Sequence, residues 1–106
     1  MSVIDPRDKH RFGEDATSLI YSHASATAKK LGVELVVESD YLRINGFEAR
    51  RRDGVIEVDG ITAEIDDEQW EAFITLALNH FVNTQQPPRG EALRQILFAI
   101  GATPRE

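Results

Sequence analysis

Three Asn/Asp-Gly pairs, Asn45-Gly46, Asp53-Gly54 and Asp59-Gly60, punctuate one short stretch of the chain, with segments rich in Val, Ile and Arg between them. Each pair is a strong signal for a two-residue hairpin, because a type I′ turn needs positive φ at both central positions and Asn, Asp and Gly accept it at least cost. Three such turns in succession are useful only if every strand they connect turns the same side inward. Asn45-Gly46 sets Ile44 opposite Phe47 and Leu42 opposite Ala49. Asp53-Gly54 sets Arg51 opposite Ile56 and Ala49 opposite Val58, and Asp59-Gly60 sets Val58 opposite Ile61 and Ile56 opposite Ala63. Ser39-Asp40, taken as a fourth tight turn, adds Val37 opposite Leu42 and Leu35 opposite Ile44. One face therefore collects Val33, Leu35, Val37, Leu42, Ile44, Phe47, Ala49, Ile56, Val58, Ile61, Ala63 and Ile65, with Arg51 the only misfit. A slip of one residue would scatter this set. The expectation is a five-stranded antiparallel meander over about 33–38, 41–44, 47–52, 55–58 and 61–65. Its outer face pairs Arg43 with Glu48 and sets Arg50 against Glu57.

The flanking sequence changes period. From Glu14, Ala16, Ile20, Ala24, Thr27 and Leu31 recur at helical spacing, Lys29-Lys30 fall in the last turn and Gly32 follows as a stop, so a helix of about 17 residues precedes the sheet. Asp66-Asp67-Glu68 opens a second helix at about 67–83, whose Trp70, Phe73, Ile74, Ala77, Leu78 and Phe81 share one arc. A Pro-Pro break leads to a third at about 91–100, with Leu93, Ile96, Leu97 and Ile100 on one side. Residues 1–12 show neither period and read as a flexible arm. The fold class is thus α+β, a single domain over 13–106 with its helices on one face of the sheet.

With 106 residues and no cysteine, disulfide frameworks, thiol nucleophiles and Cys-based zinc sites are excluded. No apolar run approaches the length of a membrane span, and the N-terminus lacks the basic start and apolar middle of a secretory signal, so the expected location is cytoplasmic. The element order is similar to that of frataxin-like proteins. Here, however, the acids gather late in the sheet instead of on the first helix, and a third helix is added, so no function and no residue is carried over.

Charge is the remaining lead. The chain holds 12 Lys+Arg against 18 Asp+Glu, and eight of the acids, Asp53, Glu57, Asp59, Glu64, Asp66, Asp67, Glu68 and Glu71, form a run without a single Lys or Arg. Turns, helix caps and a solvated face account for most of them. The residues left to meet a basic partner are Glu57, Glu64, Asp66, Glu68 and Glu71. Arg50-Arg51-Arg52 is split by strand alternation, and a net charge of -6 opposes direct nucleic-acid binding. His10, His23 and His80 show no metal-ligand spacing, no calcium loop, nucleotide-binding glycine motif or nucleophile elbow occurs, and neither cofactor nor metal is expected. Val36, Leu76 and Phe98 fall outside the expected core and form a possible apolar interface, and the first strand is an open edge.

These features point to a non-enzymatic protein-binding module, such as a small acidic inhibitor of the immunity or phage-encoded antagonist kind, that occludes a basic or nucleic-acid-binding surface. Two alternatives follow from the same residues. One is a structural subunit that homo-oligomerises through the edge strand or the exposed helix residues. The other is a small metal-dependent or His-using enzyme built on His23 and His80.

Overall fold

The computed structural model of the protein describes residues 12–104, so the arm expected over 1–12 lies, apart from Phe12, outside the described residues. Phe12 instead opens the first helix. The elements in chain order are α1 (Phe12–Leu31), β1 (Leu35–Glu38), β2 (Tyr41–Ile44), β3 (Phe47–Arg52), β4 (Val55–Val58), β5 (Ile61–Glu64), α2 (Asp67–Thr84), α3 (Glu91–Ala99) and β6 (Thr103–Pro104). The strands form one antiparallel sheet in sequence order. Every expected pairing is present, from Leu35 opposite Ile44 through Ile44 opposite Phe47 and Arg51 opposite Ile56 to Val58 opposite Ile61. The turn chemistry carries this register: Asn45, Asp53 and Asp59 hold φ of 45°, 54° and 52°, and the glycine after each is also positive.

β6 is an element the sequence reading lacked. Gly101, at φ 78°, reverses the chain after α3, and the Ala102 amide donates to the Leu97 carbonyl at 3.0 Å. The next two residues lie beside β5, Thr103 opposite Glu64 and Pro104 opposite Ala63. A two-residue strand has no periodicity to detect.

The core forms between the inner face of the sheet and the helices. Leu42, Ile44, Phe47, Ala49, Ile56, Val58, Ala63 and Ile65 are buried from the strands, and Val33, Leu35, Val37 and Ile61 pack at its margin. Trp70, Phe73, Ile74, Ala77, Leu78 and Phe81 meet them from α2, and Leu93, Ile96 and Leu97 from α3. α1 packs along α2, where the small side chains of Ala24 and Ala28 are buried and let the two axes approach closely. α2 begins with a full capping box: the Asp66 carboxylate accepts from the Gln69 amide at 2.8 Å, and the Gln69 side chain accepts from the Asp66 amide at 2.8 Å. The Gln69 side-chain amide donates in turn to the Ile100 carbonyl at 2.9 Å, so the first turn of α2 anchors the end of α3.

Arg51, the misfit on the inner face, sits where the sheet ends beneath α2. Its guanidinium donates to Asp40 in the β1–β2 turn at 2.9 and 3.2 Å and to Asp67 at the start of α2, and lies 5.8 Å from the centre of the Trp70 ring. The Trp70 indole N–H donates to the Ser39 carbonyl at 2.7 Å. One arginine and one tryptophan therefore tie a hairpin turn to a helix N-terminus. Burial lowers the Arg51 pKa, but the hydrogen bonds to Asp40 and Asp67 outweigh it and hold the group above its ordinary value.

Candidate functional site

Strand alternation sends every second side chain to the face of the sheet opposite the helices, and no buried strand residue belongs to that face. It carries Val36 and Glu38 on β1, Tyr41 and Arg43 on β2, Glu48, Arg50 and Arg52 on β3, Val55 and Glu57 on β4, and Thr62 and Glu64 on β5. This open face is the candidate interface, and its charges divide into two zones.

Over β1 to β3 Glu34, Tyr41, Arg43, Glu48 and Arg50 satisfy one another, while Glu38 and Arg52 stay exposed with no partner among the described residues. The Arg43 guanidinium lies 3.0 Å from Glu34 and donates to Glu48 at 3.0 Å, and the Tyr41 hydroxyl donates to the same Glu48 carboxylate at 3.1 Å. Tyr41 and then Glu34 raise the Arg43 pKa above its usual value, so this group stays charged. Arg50 stands directly opposite Glu57 across the strands. It turns instead toward the Tyr41 ring, 5.6 Å from its centre, and toward Glu48 at 3.6 Å.

That turn leaves Glu57 exposed, with no partner among the described residues. Beside it Glu48, Arg50, Glu57, Asp59 and Thr62 line a shallow depression of about 350 Å³. Its rim sets the carboxylates of Glu57 and Asp59 and the Thr62 hydroxyl on the β4–β5 side against Glu48 and its partner Arg50 on the β3 side. An ammonium or guanidinium group would match the carboxylates of the β4–β5 side. Sequence reasoning missed Glu48 and Asp59 as lining residues. The signal was their register position, since Glu48 shares the outer face with Glu57 and Asp59 forms the adjoining turn.

The five acids expected to meet a partner do not share one surface. Glu57 and Glu64 lie on the outer face, Asp66 is consumed as the α2 cap, and Glu68 and Glu71 stand on α2 in the helical layer. Asp67, another acid of that run, is held by Arg51. Of the possible apolar interface, Phe98 is 85% exposed on α3, Val36 is half-buried on the outer face, and Leu76 is half-buried against the core. Leu76 and His80 line a groove between α2 and α3 together with Asn79, Asn83, Gln95 and Ile96. His23 is exposed on α1 and does not line that groove, so the two histidines do not converge there. Among the described residues no group of three His, Asp or Glu side chains is arranged to hold a metal ion, and no helix is long and apolar enough to cross a membrane.

Compared with known protein families, with curated proteins and with solved structures, the chain matches none.

Proposed function

We propose that the protein is a non-enzymatic binding module of the cytoplasm that docks a basic surface of another protein against the outer face of its sheet, with its centre at Glu57, and so keeps that surface from its usual ligand. The observation that carries the reading is the orientation of Arg50. It sits opposite Glu57 but is turned toward Glu48 and Tyr41, so on the β4–β5 side of the depression that Arg50 also lines, the Glu57 and Asp59 carboxylates are left for a lysine or arginine side chain to meet. A small acidic inhibitor or immunity-type antagonist would use such a surface, because complementary charge speeds encounter and fixes orientation. Glu64 extends the same face. Glu68 and Glu71 stand in the other layer, outside that face.

The experiment is capture from the native cell with a tagged chain at low and high salt. A specific basic protein retained at low salt and released at high salt supports the reading. Retention indifferent to salt removes the electrostatic mechanism. A second reading, homo-oligomerisation, draws on the exposure of Phe98, and light scattering decides it: a strict monomer at high concentration disfavours assembly.

A further inference from the structure

The sheet has two edges of different character. At one, β6 ends on Pro104, which has no N–H to offer a further strand. At the other, among the described residues, β1 is hydrogen-bonded to β2 alone. The Asn45 amide donates to the Glu34 carbonyl at 2.8 Å, which fixes the parity of the strand: Glu34, Val36 and Glu38 direct their backbone groups toward β2, and Leu35 and Val37 direct theirs outward. Both ends of this outward row are occupied, since the Val33 amide donates to the Ala28 carbonyl at 3.0 Å and the Ser39 carbonyl accepts from Trp70. Between them, two N–H groups and two carbonyls, those of Leu35 and Val37, have no partner among the described residues.

A second copy is the wrong occupant. Antiparallel pairing of β1 with itself through all of these groups sets Leu35 against Val37 of the other copy. It therefore sets Glu34 against Glu38, two like charges directly opposite on one face. Glu38 is exposed and has no partner among the described residues, while Glu34 is already 3.0 Å from Arg43.

We infer that β1 accepts an extended segment of the partner as an added antiparallel strand, one that places a basic residue opposite Glu38 and apolar residues opposite Leu35 and Val37. The inference rests on the reading of the partner as basic. The main-chain groups of Leu35 and Val37 supply the bonds, their half-buried side chains gain apolar neighbours at the margin of the core, and Glu38 selects the charge.

The test is amide hydrogen exchange at Leu35 and Val37, read by NMR on the full chain. The probes are two capped peptides of alternating valine and threonine, one flanked by lysine and the other by glutamate. The lysine peptide is expected to slow exchange at both amides by about tenfold or more, and the glutamate peptide to leave them unchanged. Val37→Pro removes one outward donor without touching the β2 ladder and abolishes the protection. Glu38→Lys, which alters no backbone bond, inverts the peptide preference. The inference is overturned if the lysine peptide gives no protection, if both peptides protect equally, or if protection grows with protein concentration alone, which would install a second copy. Loss of partner capture on Glu57→Lys, with no protection at β1, would overturn the edge inference and leave the outer-face reading standing.

Discussion

Replacing Arg51 by alanine tests how much that side chain contributes, beside the Trp70 hydrogen bond to Ser39, to holding the Ser39-Asp40 turn to α2. The substitution removes two hydrogen bonds to Asp40, one to Asp67 and the contact with the Trp70 ring. Charge-assisted hydrogen bonds can contribute about 1.5–3 kcal/mol in a sheltered site. Here the Arg51 side chain is only 19% exposed, but those of Asp40 and Asp67 are 58% and 95% exposed, so solvent screening brings each pair down to about 1 kcal/mol or less. The cation–π contact adds about 0.5–1 kcal/mol. A total near 2 kcal/mol is expected, equivalent to a fall in Tm of about 10 °C for a domain of this size. Urea unfolding followed by Trp70 fluorescence measures it. A double-mutant cycle should give Asp40 the larger coupling to Arg51, because it takes two bonds and is less exposed than Asp67. The difference between wild type and variant should also be flat from about pH 6 to 9 as far as Arg51 is concerned. A cation whose folded pKa is raised contributes stability that is complete below its unfolded pKa. That stability disappears only as pH rises through the folded value, which for Arg51 lies far above this range. A loss below about 0.5 kcal/mol, or a coupling to Asp67 that matches that to Asp40, would refute the reasoning.

Other substitutions probe other links. Asp66→Ala removes the side-chain acceptor of the α2 capping box and should cost about 1 kcal/mol by urea denaturation. Leu93→Ala, at a fully buried position of α3, should cost about 2–5 kcal/mol in the same assay. Phe98→Ser, at a position 85% exposed, should change stability by less than about 0.5 kcal/mol; light scattering on the same variant would show a loss of any association that uses this ring.

Much of this architecture can be read from local chemistry because turn type and strand alternation constrain each other. With Asn45-Gly46, Asp53-Gly54 and Asp59-Gly60 fixed as two-residue turns, parity alone decides which side chains face inward, and an apolar set consistent across five strands excludes other registers. α2 was equally plain, since its six buried residues fall on one arc. What escaped was set by tertiary contact. Arg51 broke the inner-face pattern because it lies at the margin of the sheet, where Asp40 and Asp67 arrive from distant parts of the sequence. β6 was too short to have a period. The acidic run looked like one surface in sequence, yet the capping of α2 by Asp66 and the sharp passage from β5 to α2 divide it between two layers. The candidate site was therefore half legible: Glu57 follows from alternation, whereas the choice of Arg50 between Glu48 and Glu57 depends on where Tyr41 places its ring.

The central claim is that the outer face, and not the helical layer, meets a basic partner. The affinity of a captured partner for wild type, for Glu57→Lys and for Glu68→Lys/Glu71→Lys, each checked for unchanged folding, tests this most directly. Glu57→Lys should weaken binding by about tenfold or more and flatten its salt dependence, while reversal on α2 should shift it only slightly. Full affinity in Glu57→Lys, or a greater loss from the α2 variant, would contradict the account.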